Sequence, residues 1–133
     1  MQLSTPVLAA ALILALTGAA AAQSLSPMRN EGDTPSLVKG FKLYVGNPYK
    51  TKMTFEVIPM DPKFQVAAAD AAVNFPEISM APGTTRQVIV TFRIDPTQKE
   101  RTIGVCVQPK DIEGTVMPRV CGTYVGRLRR AGG

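Results

Sequence analysis

Three runs of residues in the middle of the chain alternate between apolar and polar side chains. From Met53 to Val57 every second residue is apolar, and a similar alternation occurs in residues 41–45 and 87–93. A period of two is what a β-strand with one buried face requires, and no segment shows a sustained helical period. The alternation therefore predicts an all-β domain whose sheets each bury one face.

Proline and glycine separate these runs and end each predicted strand, because proline lacks an N–H and glycine tolerates the dihedral angles of turns. They occur in residues 46–48, 61–62, 81–83 and 95–96. Shorter strands are predicted in residues 25–29, 64–67 and 75–80. The alanine-rich residues 67–72 are compatible with one helical turn or with a loop.

The last third of the chain predicts a β-hairpin with a definite register. If Glu113 and Gly114 form a two-residue turn, Cys106 lies opposite Cys121, and the same register matches Val107 with Val120, Ile103 with Tyr124, and Glu100 with Arg127. Apolar residues then meet on one face, while the cysteines and the opposite charges meet on the other. A slip of one residue would break all of these matches.

This register also places Pro109 opposite Pro118. Neither proline can donate a hydrogen bond, so the two predict a pair without hydrogen bonds. Strict alternation then puts Cys106 and Cys121 at the wider, hydrogen-bonded type of pair, which is less favourable for a direct cross-strand disulfide. A local bulge is one way to reconcile the two.

The amino-terminal residues predict the compartment. The apolar run 7–22 ends in small residues and is followed by the polar Gln23, which is the layout of a secretory signal peptide. The rival interpretation is an uncleaved anchor, but the run is shorter than the ~20 residues that cross a bilayer. We expect a signal peptide in residues 1–22, one β-sandwich domain in residues 23–130 and a tail in residues 131–133. The expected location is periplasmic or secreted.

Export makes a disulfide between Cys106 and Cys121 the expected state, since oxidising compartments favour it. The spacing is not C-x-x-C, so a structural role is favoured over a redox centre. Such a bond closes a loop of about 15 residues and contributes ~3 kcal/mol on the chain-entropy account.

The composition argues against catalysis. The chain contains no histidine, which removes the usual general base and the commonest metal ligand. Its acidic residues lie mostly beside turns, without a D-x-D pattern, and no glycine-rich phosphate loop occurs. We expect neither an enzyme nor a cofactor.

The formal net charge of +5 leaves several interpretations open. Export argues against nucleic acid, so an anionic lipid surface, a polysaccharide or an acidic protein remain, and a generally solvated surface is favoured over all three. A membrane-surface contact would use Arg127, Arg129 and Arg130 and would weaken steeply with salt.

Four motifs together resemble the amino-terminal immunoglobulin-like domain of periplasmic pilus-assembly chaperones. They are SPMR in residues 26–29, FKLYVGNP in residues 41–48, MTFEVIP in residues 53–59 and FPEISMAPGTTRQVIVTF in residues 75–92. The resemblance covers most of residues 25–108. It implies an immunoglobulin-like sandwich of seven to eight antiparallel strands that binds another protein through an edge strand. Those chaperones have two domains, so their interdomain pocket is not expected here.

The last strand is the predicted contact edge, because an edge strand offers its backbone to a partner. The predicted contact residues are Val120, Tyr124, Arg127, Leu128 and Arg129. An ordinary final strand with solvated arginines is the alternative. The favoured function is a chaperone-like module that binds an envelope, secreted or pilus protein. The other is a structural subunit of a surface assembly held by self-association.

Overall fold

A computed structural model describes residues 22–110 and 118–129. The described residues form nine β-strands and no helix. The strands are β1 (Ser24–Ser26), β2 (Arg29–Thr34), β3 (Val38–Gly46), β4 (Met53–Met60), β5 (Ala71–Val73), β6 (Glu77–Met80), β7 (Thr85–Arg93), β8 (Glu100–Pro109) and β9 (Val120–Leu128).

The strands form two sheets that pack face to face. One sheet has the order β1-β3-β7-β5 and the other has the order β2-β9-β8-β4-β6. Alternate side chains from both sheets fill the space between them, as the period of two predicts. The core consists of Leu25, Phe41, Leu43, Val45, Phe55, Val57, Ile78, Met80, Val88, Val90, Phe92, Ile94, Ile103, Val105, Val107 and Tyr124. The predicted immunoglobulin-like β-sandwich is confirmed.

Two details of the strand prediction need correction. Residues 22–110 and 118–129 contain nine strands instead of seven or eight, and β2 runs parallel to β9 while the other paired strands are antiparallel. The cause is the predicted strand 25–29, which is divided at Pro27 and Met28, where the chain crosses from one sheet to the other. After the crossing, β2 lies beside the last strand and runs in the same direction.

The predicted strand 64–67 is also wrong, because Asp61 organises a turn there. Its carboxylate accepts the backbone N–H groups of Gln65 (2.6 Å), Val66 (2.9 Å) and Lys63 (3.3 Å). These bonds, led by the one from Val66, hold the pKa of Asp61 below its usual value. Phe64 has a φ of 58° within this turn, which no strand accommodates.

The alanine-rich residues after this turn are not helical. Residues 67–70 form a loop, and Ala71–Val73 form the short edge strand β5, which the sequence did not predict. Three small residues carry too little alternation to indicate a strand.

Asn47 anchors the turn between β3 and β4 and is 1% exposed. Its Nδ2 donates to the carbonyl oxygens of Met80 (3.0 Å), Thr51 (3.1 Å) and Ala81 (3.2 Å), and its Oδ1 accepts the N–H of Tyr49 (3.0 Å). One buried side chain therefore supplies hydrogen bonds to two chain segments, the turn after β3 and the end of β6.

Gly104 lies on the outer face of β8, where the ring of Phe64 packs directly on its backbone. A Cβ at this position would come within 2.5 Å of that ring and 3.0 Å of the Asp61 carbonyl oxygen. We expect Gly104→Ala to lower the free energy of unfolding by about 1–3 kcal/mol, because the turn after β4 must move. Urea denaturation measures this.

Gly40→Ala is the matched control, since the nearest atom to a Cβ there is 3.5 Å away, an ordinary contact. An unfolding free energy of Gly104→Ala equal to that of Gly40→Ala would contradict the packing of Phe64 on β8.

Candidate partner-binding edge

The predicted hairpin register is confirmed over the described residues. Cys106 pairs with Cys121, and the three other predicted pairs, Val107–Val120, Ile103–Tyr124 and Glu100–Arg127, are present. The cysteines form a disulfide with a Cα–Cα distance of 4.1 Å. The predicted turn at Glu113 and Gly114 lies outside the described residues.

The sequence predicted two incompatible pair types, because a Pro109–Pro118 pair without hydrogen bonds would place Cys106 and Cys121 at a wide pair. The structure removes this conflict. The β8–β9 pairing ends at Val107 and Val120, so Pro109 and Pro118 do not form a pair. The short Cα–Cα distance shows that the cysteines occupy a narrow pair, which suits a cross-strand bridge.

Gln23 connects the two strands beyond the point where their ladder ends. Its Nε2 donates to the carbonyl oxygens of Val107 (2.7 Å) and Pro118 (2.9 Å), and its Oε1 accepts the hydroxyl of Tyr49 (3.3 Å). The residue is 2% exposed. A side chain from the beginning of the described chain thus replaces the backbone bonds that the prolines cannot make.

The prediction that β9 is an edge strand is wrong for most of its length. β9 lies between β8 and β2, and β2 pairs with it from Thr123 to Leu128. The Tyr124 side chain is fully buried, and its hydroxyl donates to the carbonyl oxygen of Pro27 (2.6 Å). Burial raises the pKa of Tyr124 well above its ordinary value. Tyr124 is therefore a core residue and not a surface contact.

The beginning of β9 extends past the start of β2. Arg29, the first residue of β2, pairs with Thr123, so no residue of β2 lies opposite Val120–Gly122. We call this short segment, Val120–Gly122, the open edge. The Thr123 N–H donates to the carbonyl oxygen of Met28 (2.8 Å), which shows that its backbone groups point towards β2. By alternation, the backbone groups of Cys121 point the same way, at a level that β2 does not reach.

Met28 lies beside the open edge and was not predicted from the sequence. It is 53% exposed, although its carbonyl group is held by Thr123. Its only sequence signal is a large apolar residue directly after Ser26-Pro27, where the alternation of the strand stops.

The predicted arginine contacts lie at the other end of β9. Arg127 forms ion pairs with Glu31 (3.5 Å) and Glu100 (3.7 Å), and Arg129 forms one with Asp33 (3.2 Å). These are exposed pairs between neighbouring strands and contribute little to stability. The acidic residues offset both cations, which weakens the interpretation as an anionic-surface site; Arg130 lies outside the described residues.

A groove of about 730 Å³ lies beside these arginines. Its lining residues are Pro96, Gln98, Lys99, Glu100, Arg127, Leu128 and Arg129. Leu128 and Val120 are both partly buried against the core. The structure therefore separates the predicted contact residues into three places: Val120 lies at the open edge, Tyr124 in the core, and Arg127, Leu128 and Arg129 at the groove.

The described residues bring together no group of three or more histidine, cysteine or acidic side chains that could hold a metal ion. Among them there is also no helix with the length and apolarity that a membrane crossing requires.

The fold and the edge together define an immunoglobulin-like sandwich in which, among the described strands, only β8 pairs with the beginning of β9, beside a cross-strand disulfide. This fold is that of solved pilus chaperones. The Escherichia coli chaperone DraB matches with a TM-score of 0.65 at 16% identity, over 84% of this chain and 57% of that one. The complex of Salmonella enterica SafA pilin with the SafB chaperone matches with a TM-score of 0.65 at 17% identity, over the same shares.

A third match is the CsuC–CsuE complex of a chaperone with a tip adhesion subunit from Acinetobacter baumannii. Its TM-score is 0.62 at 11% identity, over 82% of this chain and 53% of that one. The chain therefore spans just over half the length of the chaperones it matches. No family model and no curated protein matches the sequence. At these identities the likeness establishes the fold.

Proposed function

We propose that this chain is an exported, chaperone-like binding module that holds an extended segment of a pilus protein along the open edge. In this proposal residues 1–22 are the signal peptide, residues 23–130 are the binding domain and residues 131–133 are a tail. The protein acts in the periplasm and has no catalytic role.

The observation that carries the proposal is that β9 begins three residues before the point where β2 starts to pair with it. An incoming strand that pairs with Cys121 would continue the sheet at the level where β2 does not pair with β9. The disulfide holds this stretch of β9 against β8, so the edge is ordered before binding. Met28 offers an apolar side chain at the end of the same gap.

The solved structures that this chain resembles also support a pilus protein as the partner. The matched complexes contain a chaperone with a pilin or with a tip adhesion subunit. Because the chain spans little more than half of those chaperones, its proposed contact is confined to features of this one sandwich. Self-association into a surface assembly is the competing function, and no structural observation favours it.

The test measures binding to the pilin-type subunit encoded nearest to this gene, with matched substitutions at two exposed apolar residues. We expect Met28→Glu to lower the affinity at least tenfold, since a charge beside the open edge opposes docking of an apolar segment. Val66→Glu is the control, because Val66 is 62% exposed but lies in the loop after β4. Biolayer interferometry gives both affinities.

Equal affinities of the two variants would exclude the open edge as the binding site. No binding by the unchanged domain, together with oligomers that grow with concentration in light scattering, would replace the proposal with self-association. Arg129→Glu tests the predicted contacts at the groove in the same assay: a loss of affinity there extends the contact to Arg127, Leu128 and Arg129.

A further inference from the structure

The two sulfur atoms of the disulfide have different surroundings. Cys106 has no exposed surface, whereas Cys121 is partly exposed. The guanidinium Nη2 of Arg119 lies 3.3 Å from the Cys106 sulfur. The same nitrogen donates to the carbonyl oxygen of Phe64, which holds the cation beside the Cys106 sulfur.

This asymmetry matters because thiol–disulfide exchange is a displacement at sulfur. The attacking thiolate approaches one sulfur in line with the bond, and the other sulfur leaves as a thiolate. A nearby cation stabilises a thiolate and makes it the better leaving group. The sulfur that Arg119 contacts is that of Cys106, which is the leaving sulfur when a thiolate attacks Cys121.

The direction from which a thiolate can approach also favours attack at the Cys121 sulfur. The bond joins β8 to β9, so a thiolate in line with it reaches the Cys121 sulfur from the side of β2. β2 is absent at that level. A thiolate directed at Cys106 would have to come from the side of β4, where Ile58 is the paired residue and the turn of Phe64 covers the sheet.

We propose that external thiolates attack this disulfide only at the Cys121 sulfur. The guanidinium group of Arg119 then stabilises the departing Cys106 thiolate. The thiolate forms a bond to the Cys121 sulfur, the Cys106–Cys121 bond breaks, and its electron pair remains on Cys106 beside Arg119. A second thiolate then attacks the added sulfur, which releases an external disulfide and leaves Cys121 as a thiolate. Cys121 is thus a site for a mixed disulfide. This inference does not depend on the proposed pilus partner.

The experiment uses reduced glutathione with the folded domain, followed by rapid alkylation of free thiols and peptide mass spectrometry. We expect the glutathione adduct on Cys121 and the alkyl group on Cys106 in the first-formed product. Adducts on Cys106, or equal amounts on both cysteines, would overturn the proposal, as would a disulfide that glutathione leaves intact at every concentration.

Arg119→Gln tests the role of the cation. We expect the rate of adduct formation at pH 7 to fall roughly threefold or more, because the leaving thiolate loses its cation. Arg119→Lys should recover part of that rate. If Arg119 only held the turn of Phe64 in place, its loss would uncover the bond and raise the rate, so a faster Arg119→Gln variant contradicts the assignment.

Discussion

Replacing Asn47 with aspartate is expected to lower the free energy of unfolding by about 3–5 kcal/mol at neutral pH. The substitution preserves shape but puts a carboxylate oxygen where Nδ2 now donates to three carbonyl oxygens at 3.0–3.2 Å. At 1% exposure water cannot offset that repulsion. Equilibrium urea denaturation measures the loss.

The loss of unfolding free energy in Asn47→Asp should increase as the pH rises. Burial and the carbonyl groups raise the pKa of the introduced carboxyl above its unfolded value of about 3.9, so the folded state binds a proton more tightly. The difference from the unchanged protein is then smallest below the unfolded pKa and grows as the pH rises through the folded pKa.

Asn30→Asp is the control, because Asn30 is exposed on β2 and accepts the N–H of Glu31 through an oxygen that aspartate retains. An Asn47→Asp variant that is as stable as Asn30→Asp at pH 7 would contradict the buried hydrogen-bonding role of Asn47.

The second large effect is expected from removal of the disulfide. The double variant Cys106→Ala with Cys121→Ala should lose ~3 kcal/mol of unfolding free energy, since a bond across 15 residues restricts the unfolded chain. The fold itself should persist, because eight residue pairs hold β8 to β9. Denaturation of the double variant and of the reduced protein provides two independent measurements.

Far-ultraviolet circular dichroism supplies the control for the second prediction. An unchanged β-sheet spectrum with a lower denaturation midpoint is the expected combination. A double variant as stable as the oxidised protein would show that the disulfide contributes no measurable free energy of unfolding.

Two local features of this fold, the β8–β9 register and the buried face of β4, could be predicted from the sequence. The β8–β9 register follows from one turn and from the matching of Cys106 with Cys121, so it needs no information about distant residues. The alternation around Phe55 likewise assigns the buried face of β4. Asn47 shows the limit of this approach. The N-P turn is visible in the sequence, but two of the three carbonyl partners, those of Met80 and Ala81, lie 33 and 34 residues further along the chain.

The features that decide the candidate site are non-local. β2 contains charged residues and little alternation, so nothing in its sequence indicates that it pairs with β9, the last strand. That pairing buries Tyr124 and leaves the open edge at Cys121. The contact of Arg119 with the Cys106 sulfur depends on the turn of Phe64, which has no sequence signal beyond Asp61-Pro62.

Hydrogen–deuterium exchange of the domain, alone and mixed with the neighbouring pilin-type subunit, tests the binding account most directly. We expect new protection in the peptide that contains Val120–Gly122, because a partner strand would bond to the Cys121 backbone there. The β6 segment Glu77–Met80, which lies at the other edge of the same sheet, should exchange as before. Protection of β6 with Val120–Gly122 unchanged would contradict the account.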